Sequence, residues 1–175
     1  LNFKNVSTDW GFDSVSNSNG GVYADLDNDG ALDLVINNIN KPAFVYHNLA
    51  SQKTKNNYLQ IKLEGAGLNT QGIGAKVNIS SKGRMQYQEQ MPSRGYQSSV
   101  SPILHFGLGQ DDTVDSLTVI WLNGNMQTVT NIKANQVITL KESDAKNKYV
   151  TPKPPATIFE NIKPPIAFEH APNNI

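Results

Sequence analysis

Cysteine is absent from the 175 residues, which excludes disulfides, thiolate metal sites and cysteine catalysis. An excess of either charge is absent as well. Fifteen Lys and Arg balance fifteen Asp and Glu, and no basic patch of the kind that neutralises phosphates stands out, so nucleic acid is not an expected partner. The lysines between Lys146 and Lys153 fall in a proline-rich stretch that has the character of a solvated linker. No run approaches the ~18–20 apolar residues of a membrane span. No signal peptide is visible and the first residue is Leu1 rather than Met, which suggests a fragment of a longer precursor. Helical periodicity is missing throughout. So is a catalytic constellation. There is no Gly-x-Ser-x-Gly elbow, His47, His105 and His170 are far apart, and Glu64, Glu89 and Glu142 show no pairing. The chain is therefore expected not to be an enzyme, with His105, inside an apolar run, a satisfied core or edge histidine.

What the sequence does contain is strand-type alternation punctuated by turns. Residues 75–90 form an expected hairpin: Val77 and Ile79 alternate with polar positions, Lys82-Gly83 turns the chain, and Met85, Tyr87 and Glu89 return. A second hairpin is expected over 116–130, with Leu117, Val119 and Trp121 running out, Asn123-Gly124 as a type I′ turn, and Met126 and Val129 running back. Tyr58–Leu63, Ile103–Leu108 and Gln136–Leu140 add further strands. Many short strands at this spacing predict an all-β fold, an antiparallel β-sandwich or barrel. Trp121 shares a strand face with Leu117 and Val119 and belongs in the core. Trp10, before Gly11-Phe12, is expected to cap the first unit.

The most informative stretch is Asp25-Leu26-Asp27-Asn28-Asp29-Gly30-Ala31-Leu32-Asp33. Carboxylates this close repel one another unless a cation sits between them. Calcium (Ca2+) takes about six to eight oxygen ligands at roughly 2.3–2.6 Å. Asp25, Asp27 and Asp29 alternate as in the first half of a helix-loop-helix calcium loop. Gly30 supplies the sharp turn, Ala31 offers a backbone carbonyl, and Asp33 closes the shell. No Glu stands at the twelfth position, which is Ile36, and the flanks are strand-like rather than helical. A calcium loop within a β-hairpin follows. The alternative is a bare Asx-rich turn. Magnesium prefers a tight octahedron and keeps its waters, and zinc is disfavoured because no Cys or His lies near in sequence.

Phe3-Lys4-Asn5-Val6 with Phe12, and Phe159-Glu160-Asn161-Ile162 with Phe168, share the pattern Phe-x-Asn-(Val/Ile)-x5-Phe. Read as a repeat, each copy opens a structural unit. Pro152, Pro154, Pro155, Pro164, Pro165 and Pro172 fall in the last quarter and mark a semi-rigid, extended linker with its boundary near Ala145.

Two resemblances rest on these residues. Residues 20–49, with Asp25, Asp27, Asp29 and Asp33 in register, resemble an FG-GAP or VCBS blade of an integrin-like β-propeller, whose Asp-rich loop holds calcium. Residues 56–142 resemble the ASPIC/UnbV domain. The matching segments are Gly72-Ile73-Gly74-Ala75-Lys76-Val77, Ser93-Arg94-Gly95-Tyr96-Gln97-Ser98, Leu104-His105-Phe106-Gly107-Leu108-Gly109 and Val114–Trp121. After the Trp, Leu122-Asn123-Gly124 departs slightly from that family's Pro-(Ser/Asn)-Gly. Such domains follow propeller repeats in secreted proteins, the cartilage acidic proteins among them. The resemblance implies a partial blade at 1–50, an ASPIC/UnbV-like domain at 56–142, and a proline-rich linker leading to the next repeat at 143–175. It names an architecture more than an activity.

Arg94, Tyr96, Gln97 and Ser98 form the best candidate recognition loop. Arg94 offers paired donors, Tyr96 a stacking face, and Gln97 and Ser98 short-range polarity, the equipment of a sugar-binding loop. The alternative is a structural loop whose Arg and Tyr pin one sheet to another. The expected function is a secreted or cell-surface, calcium-stabilised binding or adhesion module of a larger protein, with glycans or another surface protein as partner. The rivals are a purely structural spacer and part of a polysaccharide-processing enzyme.

Overall fold

The computed structural model describes residues 2–153. The repeat pattern expected at Phe159–Phe168, His170, and the linker beyond Lys153 lie outside them. Three strands, β1 (Ser18–Ala24), β2 (Asp33–Asn38) and β3 (Phe44–Tyr46), form an antiparallel sheet in that order. One helical turn, α1 (Ala50–Lys53), then leads into β4 (Asn57–Glu64). The remaining strands are β5 (Lys76–Ser81), β6 (Arg84–Glu89), β7 (Ile103–Gly109), β8 (Thr113–Ile120), β9 (Asn125–Lys133), β10 (Gln136–Lys141) and the short β11 (Asn147–Lys148). They make two sheets, ordered β10-β4-β7 and β11-β9-β8-β5-β6.

Successive strand side chains point to opposite faces, so alternating apolar positions gather on one side. Leu59, Ile61 and Leu63 of β4 and Leu104, Phe106 and Leu108 of β7 face Val77 and Ile79 of β5 and Leu117 and Val119 of β8 across one buried core. This is the expected all-β, sandwich-like fold. The barrel alternative is not realised, because the two sheets do not join into one closed sheet. One pairing departs from the antiparallel expectation. Strand β10 lies parallel to β4, with Ile138 beside Ile61, because the chain crosses to the larger sheet and back between them; a parallel pair needs such a crossover.

Trp121 is 2 % exposed, as its alternation predicts. Its ring presses on Gly72, where a Cβ would lie 3.0 Å from the indole and 3.1 Å from Leu63 Cβ. Gly72 also has φ +62°, in the left-handed region. Close packing and backbone conformation therefore both explain the first glycine of the Gly72–Val77 segment. The indole Nε1 has no hydrogen-bond partner among the described residues, so the ring is held by apolar contact.

Both expected hairpins form, but the type I′ turn falls at Lys82-Gly83 rather than at Asn123-Gly124. Lys82 and Gly83 both have positive φ between the paired Ser81 and Arg84, as a type I′ turn requires. Asn123 does not. The Gly124 N–H instead donates to Trp121 O at 2.9 Å and the Trp121 N–H to Asn125 O at 2.8 Å. Only Gly124 is left-handed, at φ +77°, giving a three-residue loop in which Leu122 and Asn123 make the turn. A second correction concerns the first aromatic residues. Trp10 is 73 % exposed and caps nothing described. Phe12 takes that place, edge-on to Tyr46 at 4.8 Å.

The sandwich is also fastened by charge. Asp111 is buried at the β7–β8 connection. It accepts hydrogen bonds from Arg84 and, at 3.0 Å, from Ser81 Oγ, and pairs with Lys82 Nζ at 3.2 Å. The Arg84 guanidinium beside it chiefly holds its carboxyl at about 2, below the ordinary 3.8. A carboxylate lowered in this way contributes stability that is complete above the unfolded value and lost as pH falls toward the folded one. Urea midpoints of the parent protein should therefore drop between pH 4 and pH 2. Asp111→Asn should be less stable at neutral pH and should show a flatter profile over that window. Parallel profiles would remove the role given to Asp111.

Candidate functional site

The Asp-rich segment is the loop joining β1 to β2, as expected. Its path is set by two left-handed residues, Asn28 at φ +61° and Gly30 at φ +87°. Backbone donors then fall on the loop's own side chains. The Asp29 N–H donates to Asp25 Oδ1 at 3.0 Å, the Gly30 N–H to Asp25 Oδ2 at 3.1 Å, and the Ala31 N–H to Asp29 Oδ1 at 2.8 Å. Such Asx contacts turn the carboxylates toward the loop's interior.

The carboxylates meet in two overlapping groups. Oxygens of Asp25, Asp27 and Asp29 come within 4.8 Å of one another, and so do ligand atoms of Asp27, Asp33 and His47. Asp27 belongs to both. Asp33, at the start of β2, is 3 % exposed. It accepts from the Asn48 N–H at 2.7 Å and the Leu26 N–H at 3.1 Å, and faces His47 Nδ1 at 3.2 Å. Burial alone would raise its pKa; those backbone donors and His47 outweigh it, and the carboxyl sits below the ordinary value. Asp29 is also lowered, first by the Ser51 hydroxyl and then by the Ala31 N–H. Ala31 itself is buried behind the loop.

His47 overturns the reasoning that set zinc aside for want of a nearby histidine. It is 3.7 Å from Asp27 Oδ2 as well as 3.2 Å from Asp33. No local motif announces it. The signal lies in strand register: Leu34 pairs with Tyr46, so the next residue of each strand brings Asp33 toward His47. Ser51, in α1, and Gln60, in β4, likewise reach the loop only through the tertiary fold.

Gln60 seats the loop on the sandwich. It is a buried polar side chain of β4, and its Nε2 donates to Asp25 Oδ2 at 2.9 Å. Beside it, Gly30 packs on the Tyr58 ring so closely that a Cβ would lie 2.0 Å from Cε1. Tyr58 in turn stacks on His105, with centroids 5.7 Å apart and planes 10° from parallel. Burial lowers the pKa of His105, against the opposing pull of the Asp25 charge, in keeping with the expected edge position.

The loop carrying Arg94, Tyr96, Gln97 and Ser98 is closed by a Ser93–Ser99 bridge and by the Arg94 N–H donating to Ser98 O at 2.9 Å. Gly95 and Gln97 are left-handed. The four residues do not share one surface. Tyr96, Gln97 and Ser98 border a cleft of about 200 Å3 against Gly20 and Val35, whereas Arg94 borders another of about 330 Å3 with Tyr23 and His105. Ser98 Oγ donates to Tyr96 O at 2.7 Å and lies so near β1 that a Cβ on Gly20 would be 3.1 Å from it.

Residues 65–147 match the family model described as ASPIC and UnbV, in agreement with the segments singled out above. Among individual proteins, the chain is similar to cartilage acidic protein 1 of Mus musculus, with 30 % identity over 127 residues, covering 69 % of this chain and 19 % of the relative. The Xenopus tropicalis protein of that name is 32 % identical over 113 residues (62 % and 17 %), and the Homo sapiens one 32 % over 111 residues (61 % and 16 %). The chain thus spans less than a fifth of the length of these relatives. No helix among the described residues is long and apolar enough to cross a membrane.

The Gly30–Tyr58 contact yields a test. Gly30→Ala should destabilise the protein by more than about 1 kcal/mol, through the left-handed backbone and the overlap with Tyr58. Part of that cost should vanish in a Tyr58→Ala background, because residues in contact are not additive. Strict additivity in urea denaturation would show that the loop does not rest on this ring.

Proposed function

We propose that this chain is a non-catalytic, calcium-stabilised binding module of a larger secreted or cell-surface protein. The observation that carries the reading is the convergence of Asp25, Asp27 and Asp29 oxygens within one short loop. The donor set fits the ion: the first group is all carboxylate oxygen, as a hard cation prefers. Asp25, Asp27, Asp29 and Asp33, with the Ala31 carbonyl, would hold it, and the ion would supply charge neutralisation and cross-linking of β1 to β2. In this reading residues 1–50 are part of an FG-GAP/VCBS-type blade, residues 56–142 an ASPIC/UnbV-like domain, and 143–175 the approach to a further repeat. The extracellular setting is supported by the similarity to cartilage acidic protein 1 and by the ASPIC and UnbV match. Glycans or another surface protein are the partners that fit such a module.

One observation favours a second reading for part of the molecule. The Tyr96–Ser98 end of the candidate recognition loop rests on β1, which suits a joint between units better than an open ligand face. Arg94, bordering a separate cleft, keeps the recognition role that its donors allow.

Calcium at about a hundred times its Kd should stabilise the fold by about 2.7 kcal/mol, or roughly 5–10 °C for a chain of this size. Scanning calorimetry in calcium against chelator measures this. Asp27→Ala should abolish the difference, and magnesium and zinc should each give a smaller one. Identical melting in calcium and chelator would sink the metal reading.

A further inference from the structure

A cleft of about 640 Å3 opens between the Asp-rich loop and the sandwich. Ligand sites commonly fall in the range of roughly 300–1,000 Å3. Gly30, Ser51, Lys55, Asn56, Tyr58 and His105 are among its walls. Most polar groups here are already engaged. Asp29 accepts from the Ala31 N–H and the Ser51 hydroxyl, and Asn56 Oδ1 accepts from Gln110 Nε2 at 2.9 Å.

Three groups are not engaged. Lys55 Nζ, Tyr58 Oη and His105 Nε2 have no hydrogen-bond or ion-pair partner among the described residues. All three are donors. The histidine tautomer follows from its neighbour: Gln60 Nε2 must be the amide nitrogen, since it donates to the Asp25 carboxylate, and the same atom faces His105 Nδ1 at 3.4 Å. Nδ1 is therefore the accepting nitrogen, and the neutral ring carries its proton on Nε2.

A wall offering an ammonium, a hydroxyl and an imidazole N–H, with Asp29 as its one carboxylate and that one already accepting from Ser51 and Ala31, calls for an anionic oxygen ligand. Charge-assisted hydrogen bonds of this type are the strong ones. The surrounding amides and hydroxyls, Asn56 and Ser51 among them, suit a ring bearing hydroxyl groups better than an apolar side chain. We propose that this cleft binds a carboxylated pyranose, a hexuronate unit of an acidic polysaccharide, with its carboxylate on Lys55, Tyr58 and His105. The inference extends the binding-module reading and places the ligand away from the Arg94–Ser98 loop. Asp29 lines the same cleft, so the test holds the charge of the acidic loop constant with calcium.

The test is isothermal titration of the full chain, at fixed saturating calcium, with methyl β-D-glucuronide, methyl β-D-glucoside and acetate. The glucuronide should bind saturably, and the glucoside and acetate each at least about tenfold more weakly, the worth of the missing contacts. Lys55→Met removes an exposed charge and should keep the wild-type circular dichroism spectrum while costing about tenfold in glucuronide affinity. His105→Phe, which keeps a ring against Tyr58, should also weaken it. Four results would overturn the proposal: no heat with the glucuronide, equal affinity for the glucoside, equal affinity for acetate, or a loss on Arg94→Ala with none on Lys55→Met. Calcium-dependent melting is read separately, so failure of the metal reading and failure of the saccharide site are distinguishable.

Discussion

The buried amide of Gln60 holding the Asp25 carboxylate is the contact on which the arrangement of this molecule turns. It joins a loop of one sheet to a central strand of another through a hydrogen bond to a charged group, at 2.9 Å, with the amide buried and the carboxylate half-buried. Hydrogen bonds to charged groups contribute more than neutral ones, about 1.5–3 kcal/mol. Loss of the Asp25 carboxylate would leave the buried Gln60 amide without its 2.9 Å acceptor. The Gly30–Tyr58 contact beside it adds shape to charge, because only a residue without a Cβ lets the ring approach so closely. The loop geometry is thus set both by its own Asx turns and by the strand beneath it.

This seating bears on how the acidic loop tolerates its charge. Backbone N–H groups of Leu26, Asp29, Gly30, Ala31 and Asn48 all donate to loop carboxylates. They orient the carboxylates and offset part of their mutual repulsion. His47 adds a ring nitrogen facing Asp27 and Asp33. A cation would complete what these donors begin. The same strand β4 that anchors Asp25 also presents Tyr58 to the neighbouring cleft, so acidic loop and cleft share a wall.

Much of this was legible in the sequence. Period-two alternation placed the core strands, Trp121 in the interior, and both hairpins. Spacing alone located the Asp loop between two strands. What was not legible was long-range. The parallel partnership of β4 and β10 depends on which strands meet after the chain has crossed to the opposite sheet, and alternation is silent on partners. His47, just past β3, and Gln60, within β4, reach the acidic loop from segments whose own sequences give no sign of it. The type I′ turn formed at Lys82-Gly83 rather than Asn123-Gly124 because Trp121 and Asn125, not Leu122 and Asn125, close the second hairpin. Arg94 and Tyr96 stand two apart in the sequence, yet they border different clefts.

The central claim is that the acidic loop and strand β4 act as one unit, so that an ion gripped by the first is felt by the second. Hydrogen exchange read by mass spectrometry, with and without calcium, measures this directly. The account predicts that slowing of exchange in residues 22–36 is accompanied by slowing in residues 57–64. Protection that rises in the loop alone, or in neither segment, would contradict it.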